Sequence, residues 1–175
     1  MKFYLAIIGF VFIASAQQTL AALSPRMFPW MAQISVAVRD YSNSSEYKIE
    51  NNKLSVEVIY FVRGGLSLGG HFMAEKRNSQ GNESGESFGL QAGYYLDSGF
   101  YGMAHYDFIS RLGDWKNGLG YQLDGGYLHH WNNKFHLGFK YSYRDMLYPT
   151  NAADNTVKDR NVIETYPSVV FMFLF

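Results

Sequence analysis

The feature that most constrains this chain is a two-residue periodicity that recurs along its length after about residue 30. From Phe135 to Tyr143, large apolar or aromatic side chains occupy every second position, and small or polar residues fill the positions between them. Successive side chains of a β-strand point to opposite faces, so this pattern predicts strands with one apolar and one polar face. We find no helical periodicity after the N-terminal segment, and we therefore predict an all-β fold.

Eight stretches of this kind follow one another, and each has about the 9–11 residues that a tilted strand needs to cross a bilayer. They cover positions 30–41, 54–63, 66–75, 87–96, 100–108, 119–128, 135–144 and 161–175. Polar segments, predicted to be loops, alternate with short segments rich in turn residues. The predicted loops are 42–52, 76–86, 110–117 and 145–160, and the predicted turns are Gly64-Gly65, Asp97-Ser98-Gly99 and 130–134. An even number of strands puts both ends of the chain and all the tight turns on one side.

A closed barrel fits this pattern because closure leaves no strand edge unpaired. Alternation alone does not say which face points inward, so a soluble eight-stranded barrel of the lipocalin kind is the alternative. The polar faces are rich in Gly, Ser and Gln rather than coated with Lys and Glu, which suits a narrow interior better than a water-exposed surface. We predict a closed eight-stranded antiparallel up-and-down transmembrane β-barrel with its apolar face toward lipid.

Aromatic residues are frequent in the chain, with 14 Tyr, 14 Phe and 3 Trp, and many of them fall near the ends of predicted strands. Aromatic girdles anchor membrane barrels at both interfaces. We predict one girdle on the turn side and a second on the loop side. The first contains Trp30, Tyr60, Phe100, Tyr127, Trp131 and Phe175, and the second contains Tyr41, Phe72, Phe88, Phe108, Trp115, Tyr143 and Tyr148.

The N-terminal segment has the pattern of a secretory signal peptide. Lys2 precedes an apolar run, and Ala14-Ser15-Ala16 provides a small-residue cleavage site. We predict a signal peptide at 1–16 (with cleavage after Ala22 as the alternative), a periplasmic lead-in at 17–29 and the barrel at 30–175. The sequence has no Cys, which excludes a lipid-attachment cysteine, a disulfide scaffold and a thiolate metal site. Its 15 basic and 15 acidic residues argue against a nucleic-acid partner.

The last predicted strand carries an apolar stripe formed by Val169, Phe171, Phe173 and Phe175. This stripe resembles the C-terminal assembly signal of bacterial outer-membrane β-barrels, and the whole pattern resembles the small eight-stranded family of the OmpA transmembrane domain and OmpX. The resemblance implies a protein of the bacterial cell outer membrane with both termini in the periplasm. It implies outer-membrane lipid and lipopolysaccharide as surroundings, and the barrel assembly machinery and periplasmic chaperones as partners. We expect a monomer without a cofactor.

The polar parity of the strands places ionisable and amide side chains inside the predicted barrel. They are Arg39, Glu57, His71, Glu75, Gln91, His105, Asp107, Asp124, His136, Lys140, Arg144 and Glu164. The interior of an eight-stranded barrel is just filled by side chains, so charges buried there must find partners. The pairs predicted from strand adjacency are His105 with Asp124, Asp124 with Lys140, and Arg39 with Glu57 or Glu164. Such a network, similar to the salt-bridged interior of the OmpA and OmpX family, would occlude the lumen.

The last strand adds two geometric expectations. Val170, Met172 and Leu174 share its inner face and predict an apolar seal at the turn side of the lumen. Pro167 lacks a backbone donor in a strand that must pair on both sides, which predicts a bulge or local distortion nearby.

The predicted function is that of an occluded barrel that acts structurally or through its outer loops, for example in adhesion to a surface or ligand that the sequence does not identify. A narrow pore for ions or small solutes and a lipid A-modifying enzyme are the alternatives. The catalytic candidates are His136 with Ser142, and His105 with Asp107 and Ser110.

Neither set of candidates favours catalysis. His136 and Ser142 lie about 20 Å apart along an extended strand, and the His-x-Ser-Asn pattern of lipid A deacylases is absent from the sequence. The adjacent His129 and His130 point to opposite faces of a strand and do not chelate a metal together. We therefore predict no enzymatic activity, no catalytic residue and no metal site.

Overall fold

The computed structural model describes residues 29–43, 47–78, 82–154 and 159–175, with the side chains of 39–43, 47–50 and 63 left out of the description. The predicted signal peptide, nearly all of the predicted lead-in and the side chain of Arg39 lie outside the described part of the chain.

Eight long strands and two short ones form in the described residues. In chain order they are β1 (Trp30–Asn43), β2 (Tyr47–Arg63), β3 (Leu66–Arg77), β4 (Glu83–Tyr95), β5 (Phe100–Leu112), β6 (Trp115–Lys116), β7 (Leu119–Asn132), β8 (Phe135–Tyr148), β9 (Thr150–Asn151) and β10 (Arg160–Leu174). No helix within these residues is long and apolar enough to cross a membrane.

The long strands close into a single antiparallel ring. Each of them pairs with its neighbours in chain order, and β10 pairs with β1 to complete the circle. The short strands β6 and β9 pair with each other next to the end of β5. The predicted fold class, a closed eight-stranded antiparallel barrel, is confirmed.

Backbone hydrogen bonds near the C-terminus show at which end of the barrel the described chain begins and ends. The backbone N–H of Phe175 donates to the carbonyl of Trp30 at 3.0 Å, and that of Leu174 donates to the carbonyl of Lys134 at 2.8 Å. Both ends of the described chain therefore lie beside the turn between β7 and β8, and the other tight turns lie at the same end. We call this the termini end of the barrel and the opposite one the loop end.

Several strands continue into segments that the sequence predicts as loops, and those predicted loop bounds are wrong. β3 continues to Arg77, β5 to Leu112 and β8 to Tyr148, and β2 begins at Tyr47. Apolar alternation stops before the backbone pairing does, because an outward side chain above the apolar band can be polar. The pairing of Arg111 with Glu86 on the exposed side of β5 and β4 is an example.

Of the two outcomes predicted at Pro167, a bulge or a local distortion, the structure shows the second. The ladder between β10 and β8 runs from Arg160 to Phe173 without a register shift. The ladder between β10 and β1 covers six residue pairs and ends at Val169–Val36. The pairing of β10 with β1 stops two residues C-terminal to Pro167, so the missing N–H of Pro167 faces no ladder partner and no bulge forms.

Candidate functional site

The outer face of the barrel is apolar over most of its height. Every long strand exposes large apolar or aromatic side chains on this face, among them Leu90 and Ile163, which are 63% and 59% exposed. The structure places the stripe of Val169, Phe171, Phe173 and Phe175 here as well. Its role as an assembly signal stays a prediction.

Aromatic pairs mark both ends of this apolar face. At the termini end, the ring centroids of Trp30 and Tyr60 lie 4.9 Å apart, those of Phe100 and Tyr127 lie 5.0 Å apart, and those of Phe135 and Phe173 lie 5.1 Å apart. Toward the loop end, Phe72 and Phe88 lie 4.7 Å apart and Tyr121 and Tyr143 lie 6.1 Å apart. The prediction that Tyr148 belongs to the loop-side aromatic girdle is wrong, because its side chain is fully buried inside the barrel.

A first ionic network is centred on Lys140 of β8. Its Nζ atom lies 2.7 Å from Oε1 of Glu57 and 2.8 Å from Oδ2 of Asp124. The amide of Gln33 donates to Glu57 at 3.0 Å, and the amide of Gln122 donates to Asp124 at 2.8 Å. All five side chains are buried, so the charges of this cluster are balanced by direct contact rather than by bulk water.

A second ionic network, nearer the loop end, is centred on Glu75 of β3. Its carboxylate contacts Lys53 at 2.6 Å, Arg77 at 2.7 Å and Arg144 at 3.0 Å. Glu164 of β10 also accepts from Lys53 and Arg77, at 2.5 and 3.1 Å. Strands from opposite parts of the ring are thereby joined through the lumen.

Two carboxylate–histidine pairs connect the networks. Asp107 lies 3.5 Å from the guanidinium of Arg144 and 3.2 Å from Nδ1 of His71. Asp124 lies 3.1 Å from Nε2 of His105. The two imidazole rings are adjacent, with centroids 4.8 Å apart. The polar interior is therefore continuous from Lys140 to Lys53.

Apolar clusters lie in the lumen on either side of these networks. At the termini end, the inward faces of the strands bring together Met31, Ile59, Phe61, Tyr95, Tyr101, Met103, Leu128, Val170, Met172 and Leu174. This cluster contains the three β10 residues from which the sequence predicts a seal. At the loop end, Leu112, Met146 and Tyr148 form a smaller cluster, with Trp115 and Val162 packed against it.

The structure places most of the predicted lumen residues inside the barrel. Glu57, His71, Glu75, Gln91, His105, Asp107, Asp124, His136, Lys140 and Arg144 are buried there, and Glu164 is nearly so. The pairs His105–Asp124 and Asp124–Lys140 are in contact. Glu57 contacts Lys140 and Glu164 contacts Lys53, and the predicted pairing of either carboxylate with Arg39 lies outside the described side chains. Neither amide atom of Gln91, nor Nε2 of His136, has a hydrogen-bond partner among the described residues.

Sequence reasoning missed two members of the second network. Lys53 precedes the predicted start of its strand at residue 54 and Arg77 falls in a segment predicted as a loop, yet both are buried in the lumen. Each continues the inward parity of its strand, since Lys53 lies two residues before Ser55 and Arg77 two residues after Glu75. Continuing the inward-facing positions of each strand by one more position would have predicted both as lumen residues.

The catalytic candidates are not brought together. The partner of His105 is Asp124 rather than Asp107, and Oγ of Ser110 lies 3.1 Å from the hydroxyl of Tyr148. His136 packs against His130 with ring centroids 5.0 Å apart, and Oγ of Ser142 has no hydrogen-bond partner among the described residues. Neither Ser has a base within hydrogen-bond reach in these contacts, as a nucleophile requires.

Metal ligands of the usual kinds are not clustered either. In the part of the chain that the structure describes, no three His, Cys, Asp or Glu side chains form a group able to hold an ion.

Comparison with known proteins agrees with this architecture. No sequence model of a protein family matches the chain, and no curated protein matches it. The crystal structure of Neisserial surface protein A superimposes with a TM-score of 0.62 and 17% identity, covering 84% of this chain and 97% of that one. The fold is that of a small outer-membrane β-barrel.

Other solved outer-membrane barrels align less closely. The solid-state NMR structure of outer membrane protein AlkL in DMPC bilayers gives a TM-score of 0.45 at 12% identity, over 85% of this chain and 90% of that one. The KdgM porin in complex with oligogalacturonate gives 0.34 at 10% identity, over 83% and 99%. At these identities the likeness concerns the fold, and the chemistry of this barrel has to be argued from its own residues.

Proposed function

We propose that this protein is an integral barrel of the bacterial outer membrane, with an occluded lumen, periplasmic termini and a loop end that carries its interactions. The observation on which the proposal rests is the filled lumen. Two buried ionic networks lie in series between two apolar clusters. A barrel built in this way holds its loop end on a rigid support and offers no continuous aqueous path.

The physical cost of conduction supports the closed state. An ion that crosses the lumen has to separate buried ion pairs such as Lys140–Glu57, and a charge left unpaired in such surroundings costs several kcal/mol. It also has to pass the apolar cluster at the termini end, which offers few polar groups to replace its water. The narrow-pore alternative therefore has less support than the closed barrel.

Ordered contacts at the loop end support a role in surface interaction. The short strands β6 and β9 pair with each other above the wall of the barrel. Arg160 contacts Glu83 at 2.8 Å, and its guanidinium lies 5.9 Å from the ring centre of Trp115. These contacts hold polar and aromatic groups in fixed positions where an adhesive surface on another cell, or a polymer outside the cell, would meet them.

The absence of Cys from the sequence allows a clean test of location and orientation. Lys116 at the loop end and Asn133 in a turn at the termini end are both exposed. In intact cells, a membrane-impermeant maleimide should label Lys116→Cys but label Asn133→Cys only after the outer membrane is permeabilised. Labelling of Asn133→Cys alone in intact cells would reverse the orientation. Recovery of both variants in the soluble fraction would contradict membrane integration.

A further inference from the structure

The wall formed by β3, β4 and β5 carries three buried polar side chains whose hydrogen-bonding capacity is not used. They are His71, Gln91 and His105, with 3%, 4% and 2% of their surface exposed. Nε2 of His71, Nδ1 of His105 and both amide atoms of Gln91 have no hydrogen-bond partner among the described residues. A buried polar group normally has a partner, so four unpaired atoms on adjacent strands point to a ligand.

In each histidine ring, the nitrogen that contacts a carboxylate determines whether the unpaired nitrogen carries a proton. Nδ1 of His71 lies 3.2 Å from Oδ1 of Asp107, and Nε2 of His105 lies 3.1 Å from Oδ2 of Asp124. An ionised carboxylate only accepts hydrogen bonds, so these two nitrogens carry the protons. A second proton on either ring would bury an N–H donor without an acceptor. Nε2 of His71 and Nδ1 of His105 therefore present lone pairs.

An imidazole whose other nitrogen donates to a carboxylate is the usual arrangement of a metal-binding histidine, because the carboxylate fixes the tautomer and makes the ring more basic. Two imidazoles that bind one ion at about 2.1 Å and at a roughly tetrahedral angle have ring centres about 5 Å apart. The centroids of His71 and His105 lie 4.8 Å apart. This spacing allows both rings to bind one ion.

Gln91 completes the arrangement. It lies on β4 directly opposite His105 on β5, and its other neighbour, Gly69 on β3, is two residues from His71. A Cβ on Gly69 would lie 3.0 Å from Nε2 of Gln91, so the amide is close to the β3 backbone. Its carbonyl oxygen has no hydrogen-bond partner among the described residues and is available as a neutral third ligand.

The surrounding charges do not oppose a cation. Among the described lumen side chains that form ion pairs, five are carboxylates and four are Lys or Arg; the side chain of Arg39 is not described. The carboxylates are Glu57, Glu75, Asp107, Asp124 and Glu164, and the cations are Lys53, Arg77, Lys140 and Arg144. The carboxylates nearest the two rings are Asp107 and Asp124, the same groups that orient them.

We propose that His71, His105 and Gln91 bind one divalent transition-metal ion of the kind that imidazole prefers, such as Zn²⁺ or Cu²⁺, inside the lumen. The site needs two histidines and an amide, with water in the remaining positions. Because both histidine side chains are fully buried, the ion enters while the barrel folds and is then retained.

Metal content after refolding tests the proposal. The protein is refolded from urea into lipid vesicles with Zn²⁺ or with EDTA, washed with EDTA, and its zinc content is measured per folded chain. We expect about one retained zinc per wild-type chain, and at least a tenfold lower content in His71→Gln and His105→Gln. His136→Gln is the matched control, because His136 is also a buried lumen histidine with an unpaired nitrogen but without a carboxylate partner in the described contacts. It should retain zinc as the wild type does.

Three results would overturn the site. Wild-type protein with no more zinc than the sample refolded in EDTA would show that water fills the space. Loss of zinc in His136→Gln would move the site to the pair His130–His136. Equal retention in all variants would show binding elsewhere. If a His71 or His105 variant does not fold, paramagnetic resonance of His136→Gln refolded with Cu²⁺ decides, since this variant lacks the rival pair: coupling to two imidazole nitrogens supports the site and its absence rejects it.

Discussion

The Nζ atom of Lys140 lies 2.7 Å from Oε1 of Glu57, on a strand that is separated from its own by β10 and β1. Lys140 also contacts Asp124 at 2.8 Å, so a single buried cation joins three strands through the lumen. This contact ties the far walls of the barrel to each other, in addition to the backbone ladders that run around its circumference.

Removal of this cation should be strongly destabilising. Lys140→Met leaves two buried carboxylates without their shared partner, and we expect a loss of about 3–5 kcal/mol in the free energy of unfolding. Urea unfolding in lipid vesicles, followed by heat-modifiable migration on a gel, measures it. Lys116→Met, at an exposed position of β6, is the control and should change stability little. The double variant Lys140→Met with Glu57→Gln should recover part of the loss, and a double variant less stable than Lys140→Met would contradict the pairing.

Gly138 lies where two strands of the wall approach closely. A Cβ at this inward position would run into the backbone carbonyl of Tyr127 on β7, whereas a Cβ at the outward-facing Gly125 would meet nothing within 4 Å. Gly138→Ala should therefore lower the yield of folded barrel or its stability by about 1–3 kcal/mol, the usual range for overpacking. Gly125→Ala should leave stability nearly unchanged. Equal effects of the two substitutions in refolding assays would count against the inward placement of Gly138.

The hydroxyl of Tyr166 donates to Oε1 of Gln122 at 2.9 Å inside the lumen. Tyr166→Phe leaves the Gln122 oxygen without this donor, and we expect a loss of about 1–3 kcal/mol. Tyr121→Phe is a matched control, because its hydroxyl lies on the exposed side of the barrel and reaches Asp145 only at 3.4 Å. If both variants unfold at the same urea concentration, the lumen hydrogen bond contributes nothing measurable.

The fold and the face of most side chains could be predicted from the sequence because a strand alternates strictly. The same rule assigns Tyr148 to the lumen, since it shares the parity of Lys140 and Arg144, and only its assignment to a loop hid it. Strand adjacency likewise predicted the contact between His105 and Asp124 on neighbouring strands.

Contacts across the lumen could not be predicted in this way. Lys53 and Glu164 are 111 positions apart and meet at 2.5 Å. Which side chains share a level along the barrel axis depends on the tilt and stagger of the strands, and periodicity carries no information on either. The form of the distortion at Pro167 was left open for a related reason, because the length of the ladder between β1 and β10 is a property of the closed ring.

The central claim is that the lumen is closed along its length, and conductance of the wild-type protein in planar lipid bilayers tests it most directly. Single barrels that have been shown to be folded by heat-modifiable migration are inserted and held under voltage in salt solution. The filled lumen predicts no steady current above that of the bare bilayer. Large, steady currents from the folded wild-type barrel would contradict it.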